Sequence, residues 1–240
     1  MGFMNYEILE WDSQFFGFTV ACLQITSIKE IELKKLIKEL TKKKIELLYI
    51  FCNSRLDDSI AECLGGRLVD IKVTYVNNLQ DSKLNISNFE SFAIPFNESM
   101  SYDCLEKLAI SSGEYSRFAT DPNFPRSKFV AMYKTWIRRS VLGEIAKEVL
   151  VIHENEDIAG MVTLGEKNGR GDIGLVAVDQ RYRGRKIGNR LIMDSLRYFS
   201  AENYSFAQVV TQKDNLPACR LYEKCGFSFE CEEYLYHFWL

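Results

Sequence analysis

The stretch from Ile173 to Phe227 leaves this chain the fewest choices of fold. An apolar segment, Ile173–Val178, runs into a basic, glycine-bearing turn, Arg183-Gly184-Arg185-Lys186-Ile187-Gly188. A helix expected over Gly184–Ala201 follows, then a strand over Phe206–Thr211, then a helix over Leu216–Cys225. Asn215 is a good N-cap for that last helix, Pro217 falls in its first turn where no N–H bond is lost, and Gly226 suits the left-handed position after its end. Two strands joined through a helix pair in parallel. Upstream, apolar segments Glu148–Glu154, Ile158–Glu166 and Asp172–Val178 are separated by Asn155-Glu156-Asp157 and by Asn168-Gly169. Such short strands with turn residues between them read as an antiparallel meander. A meander that continues into a strand–helix–strand unit gives an α/β protein with a mixed, partly opened central sheet.

The N-terminal part is also β/α. Val20–Ile25, Leu47–Cys52 and Leu68–Val76 read as strands, Ile31–Lys44 as an amphipathic helix and Ser59–Leu64 as a short helix stopped by Gly65-Gly66. Residues 77–88 are polar, aperiodic and rich in turn formers, which places a domain boundary near residue 85. The expected division is a small α/β domain over 1–85 and a second domain over 86–240. The second opens with a strand near Glu90–Ile94 and helices over Tyr102–Ser112 and Ser127–Val141.

Composition removes several function classes. A net charge of −3, with basic residues scattered among acids, argues against a nucleic-acid binder. No apolar run reaches the roughly 18 residues of a membrane span, and the N-terminus lacks the pattern of a secretory leader, so a cytoplasmic protein is expected. The seven cysteines are odd in number, widely spaced and without a CxxC pair. A disulfide framework is not expected. Cys219, Cys225 and Cys231 invite a metal reading, but with only His153 and His237 in the chain and no tight ligand pair, no metal is expected.

The basic turn has the makings of an anion site. Gly184 and Gly188 leave the backbone open to close approach, and a helix start presents unpaired N–H groups and the positive end of its dipole. Arg181, Arg183, Arg185 and Lys186 add charge. The two glycines do not make the GxGxxG of a dinucleotide fold, which the meander also excludes. Tyr222 lies about 10 Å along its helix from Asn215. It is either a core aromatic with its hydroxyl at the surface or a phenol placed for proton transfer.

These pieces together resemble the GCN5-related N-acetyltransferase (GNAT) superfamily over about residues 92–240. The resemblance is carried by Val176-Ala177-Val178, by Tyr182-Arg183-Gly184-Arg185-Lys186-Ile187-Gly188, and by Asn215…Ala218…Leu221-Tyr222-Glu223-Lys224-Cys225-Gly226-Phe227. The familiar motif has a third glycine where this chain has Lys186. A narrower likeness, to the TDP-fucosamine acetyltransferase group, rests on Trp11-Asp12-Ser13-Gln14-Phe15-Phe16-Gly17, Ser116-Arg117-Phe118 and Tyr133…Trp136-Ile137.

The resemblance implies an acetyl-CoA-dependent N-acetyltransferase working by direct attack of an amine. The acceptor it implies is a TDP-linked amino-dideoxy sugar for surface polysaccharide, and the assembly a homodimer. It places coenzyme A against Val176, Ala177, Val178, Arg183, Gly184, Arg185, Lys186, Ile187, Gly188 and Asn215, with Tyr222 as general acid. The residues read toward the nucleotide sugar are Tyr115, Arg117 and Phe118. A guanidinium can pair with phosphate oxygens, although Arg117 reads equally as a loop-surface arginine. No general base stands out, because both histidines read as structural or surface residues. The competing functions are acetylation of a protein amine or another small amine, and a non-catalytic acyl-CoA sensor.

Overall fold

The computed structural model describes residues 5–81 and 91–240, so the expected boundary near residue 85 lies outside the described residues. The chain forms two compact units. One holds the chain up to Lys72 together with Thr120–Asn123 and Glu232–Leu240; the other holds Val73–Ala119 and Phe124–Cys231. The last nine residues thus join the first unit, where the sequence expectation assigned the whole C-terminus to the second. The breaks fall inside strands β4 (Gly66–Asn78) and β10 (Ser228–Trp239).

In the first unit β1 (Glu7–Ile8) pairs antiparallel with β2 (Val20–Ile25), after a short helix α1 (Glu10–Phe16). β2 runs parallel to β3 (Leu47–Cys52) through all six residues, from Val20↔Leu47 to Ile25↔Cys52. The end of β10 closes on the other side of β3, from Tyr234↔Cys52 to Trp239↔Leu47. With neighbours on both sides, every residue of β3 is buried, which is why its sequence is an unbroken apolar run. Helix α2 (Glu30–Lys42) lays Leu33, Leu36 and Leu40 on the sheet and turns its lysines outward. Helix α3 (Asp58–Cys63) is capped by Asp57, whose carboxylate accepts from the Ser59 and Ile60 amides.

His237 is fully buried in this unit, its Nδ1 2.6 Å from Asp121 Oδ2 and its ring stacked 4.7 Å from Tyr49. Trp239 Nε1 donates to the same carboxylate at 2.9 Å. Burial pushes the Asp121 carboxyl up, but the bonds from His237, Trp239 and the Asn123 amide outweigh it and hold it below the usual range.

The second unit carries the meander. β6 (Glu148–Glu154), β7 (Asp157–Lys167) and β8 (Arg170–Val178) pair antiparallel in order, with β5 (Ile94–Pro95) at the β6 edge. β9 (Phe206–Gln212) then runs parallel to β8. Helices α4 (Tyr102–Ser112) and α6 (Arg126–Val141), with the single turn α5 (Arg117–Thr120) between them, supply Leu105, Leu108 and Ile137 to one core cluster. α7 (Ile187–Ala201) and α8 (Leu216–Lys224) supply Leu191, Leu196, Phe199 and Tyr222 to the other. The fold is the expected α/β arrangement with a mixed sheet. One expected helix starts later: α7 begins at Ile187, because Gly184 at φ 80° and Lys186 at φ 63° are left-handed and outside it.

Candidate active site

The central opening of the second unit follows from register. β8 pairs with β9 only at Gly171↔Ala207, Asp172↔Gln208 and Ile173↔Val209, and beyond that point the strands part. On its other edge β8 stays paired with β7 to Val178↔Gly160. The Asp179 amide bonds Ala159 O at 2.9 Å and the Leu175 amide reaches Thr163 Oγ1 at 2.8 Å, both toward β7. Backbone groups alternate along a strand, so Ala177 also faces β7, while Val176 and Val178 turn their amides toward the gap left by β9. The Val178 carbonyl accepts from Arg183 Nε at 3.3 Å.

At the end of β8 the chain makes a 3-10 turn, Gln180–Tyr182, then the basic turn, then α7. No side chain caps the start of α7, so its first amides and the positive dipole end face outward. Beside them is an open pocket of about 510 Å³. Of the residues read from the sequence as binding, it is lined by Val178, Arg183, Gly184, Lys186, Ile187 and Gly188. Gly188 packs closely as well as leaving room for a ligand: a Cβ there would sit 3.1 Å from Leu221 Cδ2, a tight contact that a flexible leucine can relieve. Gly184 has open space around it and is needed for its φ.

The structure also brings Tyr182, Asn189, Leu221 and Lys224 into that lining. Sequence reasoning missed all four as pocket residues. The available signal was spacing, since Leu221 and Lys224 are three apart on α8 and share a face. Leu221 is half-buried, packing against the core cluster while also lining the pocket, and Cys219, Tyr222 and Cys225 form the buried stripe. Arg181, read as added charge, is already engaged with Asp179 (2.8 Å) and Asp157 (2.9 Å).

Val176, Ala177, Arg185, Asn215 and Tyr222 are not in this lining. Val176 and Ala177 precede Val178 on the opened strand. Arg185 is exposed, 3.9 Å from Glu154. Asn215 acts as the cap, accepting from the Ala218 amide at 3.3 Å. Tyr222 is only 4% exposed and packs 6.2 Å from Tyr75 and 6.0 Å from Phe227, ring centre to ring centre. Burial pushes its phenol well above the ordinary tyrosine value, with Cys219 and Cys225 adding to the shift, so it stays protonated across neutral pH. Burial likewise raises the Cys225 thiol to about 11 against an opposing bond from Asn189.

Tyr115, Arg117 and Phe118 lie elsewhere in the unit, on and before α5. Tyr115 is exposed; Phe118 is buried beneath Arg117, whose guanidinium lies 4.4 Å from the ring, and against Phe124 and Trp136. Among the described residues, no three His, Cys, Asp or Glu side chains gather to hold a metal ion.

In the second unit a mixed sheet thus has parallel strands that part beside an uncapped helix start. Residues 113–227, just under half of the chain, match the acetyltransferase (GNAT) family model. The chain is 28% identical over 133 residues to the spore coat polysaccharide biosynthesis protein SpsD of Bacillus subtilis, a match covering 55% of this chain and 46% of that one. It thus spans less than half the length of that relative. It is 27% identical over 235 residues, 96% of each chain, to dTDP-fucosamine acetyltransferase of Escherichia coli. A GCN5-related N-acetyltransferase from Sphaerobacter thermophilus shares the fold with TM-score 0.59 at 14% identity, over 97% of this chain and 75% of that one. No described helix is long and apolar enough to cross a membrane.

Proposed function

We propose that this chain is an acetyl-CoA-dependent N-acetyltransferase acting on the amine of a nucleotide-linked, dTDP-type amino-dideoxy sugar. The observation that carries the reading is the parting of β8 from β9 after Ile173↔Val209, directly beside the uncapped start of α7. The residues present fit coenzyme A. Main-chain amides at the α7 start, opened by Gly184, suit its diphosphate. Arg183, Lys186 and Lys224 supply positive charge around the same pocket.

The chemistry then falls to the opened strand. The Val176 and Val178 amides face the gap, where they can bond the thioester oxygen as it gains negative charge. Such donors work best where water is excluded, and they are already fixed by the β7 pairing on the other edge of β8. Tyr222, held neutral by burial, is the donor of the proton that the departing sulfur requires. No histidine serves as base in this scheme. His237 is buried against Asp121, and a sugar amine is weakly basic enough to lose its proton to water.

The sugar-nucleotide acceptor is supported by the full-length likeness to dTDP-fucosamine acetyltransferase and by the polysaccharide role in SpsD's name. Arg117, with Tyr115 and Phe118 beside it, is the proposed contact to that acceptor. A cytoplasmic homodimer active in surface-polysaccharide synthesis is part of the same proposal. The test is acetyl transfer to a panel of dTDP- and UDP-amino sugars, with released thiol as readout. Turnover on a peptide or polyamine, with none on any amino sugar, would replace the acceptor with another amine.

A further inference from the structure

One residue of the pocket lining, Tyr182, is bonded into a carboxylate arrangement that charge alone does not explain. Tyr182 lines the pocket, and its hydroxyl donates to Asp157 Oδ2 at 2.7 Å, a bond that raises the phenol's pKa. The same oxygen accepts from Arg181 NH1 at 2.9 Å. Arg181 is held from its other side by Asp179, through NH2 at 2.8 Å and through its own amide at 2.8 Å. Two guanidinium groups lie near the Tyr182 ring, Arg181 at 5.2 Å and Arg185 at 5.3 Å from its centre.

Asp157 is the first residue of β7, just after the tight Asn155-Glu156 turn of the β6–β7 hairpin, and it is 24 residues from Arg181. A rigid element of the meander is thereby tied to the turn that precedes α7. Two aspartates beside a site for a polyanion would weaken binding if only charge mattered. Their hydrogen bonds instead run to the two residues that shape the turn.

We infer that Asp157 is a positioning residue for the acyl-carrier pocket: through Tyr182 and Arg181 it holds the basic turn in the shape that aims the α7 amides at phosphate. The inference rests on the reading of this pocket as the coenzyme A site. It predicts a sign opposite to the electrostatic one. Asp157→Ala removes a negative charge, which by Coulomb attraction alone would tighten binding of an anion. Loss of the brace loosens it, because the turn must then be ordered at the moment of binding.

The experiment is calorimetric titration of the whole chain with coenzyme A. Asp157→Ala should raise Kd about tenfold, the scale of losing hydrogen bonds to a charged group. Asp157→Asn, whose amide oxygen still accepts the Tyr182 hydroxyl, should recover most of that loss. Tyr182→Phe should weaken binding about threefold, and the Asp157→Ala/Tyr182→Phe pair should be no weaker than Asp157→Ala alone, because Asp157→Ala has already broken the Tyr182 contact. If Asp157→Ala does not fold, Tyr182→Phe decides: unchanged affinity overturns the brace. Wild-type binding with equal or tighter binding by Asp157→Ala also overturns it, and leaves the pocket assignment standing. Failure of the wild type to bind coenzyme A overturns both.

Discussion

Lys186 should be strained where it stands, and replacing it with glycine should stabilise the protein. Its φ of 63° lies in the left-handed region, as does that of Gly184 at 80°. Both positions are exposed, and nothing lies within 4 Å of a Cβ built on Gly184. Backbone conformation therefore dominates, with no packing to confuse it. A residue with a Cβ loses roughly 1–2 kcal/mol in the left-handed region. Glycine loses about 0.5–1 kcal/mol more chain entropy on folding. Lys186→Gly should then gain about 0.5–1 kcal/mol, Gly184→Ala should lose about as much, and Lys186→Ala should change little. In thermal denaturation followed by circular dichroism these are shifts of about 1–4 °C up, about 1–4 °C down and near zero. Lys186→Ala and Lys186→Gly remove the same charge, so any difference between them in coenzyme A affinity reports backbone shape alone. A Lys186→Gly variant that melts as low as Gly184→Ala would refute the reasoning.

Tyr222→Phe should cut kcat by about 10²–10⁴-fold with coenzyme A affinity little changed, and steady-state kinetics beside calorimetry would separate the two. Because burial raises the phenol's pKa, Tyr222 should cause no fall in kcat up to about pH 10. Gly188→Val should overpack Leu221, cost about 1–3 kcal/mol and weaken coenzyme A binding. Gly188→Ala should fold normally, since about 1 kcal/mol of helix propensity offsets a contact that a flexible leucine can relieve. Asp121→Ala should cost about 1–3 kcal/mol in urea unfolding at neutral pH, because it takes the shared acceptor from buried His237 and half-buried Trp239. The Asp121 carboxyl titrates below its unfolded value. Its stabilisation is therefore present above about pH 4 and fades as pH falls through the folded-state value, and the two proteins should converge there.

The strand–turn–helix–strand–helix order was legible because each piece is signalled locally. Asn215 caps, Gly226 takes φ 84° after α8, and the unbroken apolar run of β3 marks a strand covered on both sides. What was hidden depends on residues far apart in the chain. The Arg181 side chain reads as free charge until the β6–β7 hairpin brings Asp157 to it. The assignment of the chain's end to the first unit depends on β10 pairing with β3, a choice of partner that no local pattern in Glu232–Leu240 encodes. Lys186 gave no sign of a left-handed backbone, because lysine is not a residue that favours one. Its position in place of the family's third glycine was the clue, and the φ explains why glycine suits that place.

The central claim is that the start of α7 holds the diphosphate of an acyl carrier. A crystal structure of the chain with coenzyme A tests it directly. The account predicts phosphate oxygens about 3 Å from main-chain nitrogens between Gly184 and Asn189, with the pantetheine arm entering the gap between β8 and β9. A diphosphate bound away from that turn, or an arm that leaves the gap empty, would contradict it.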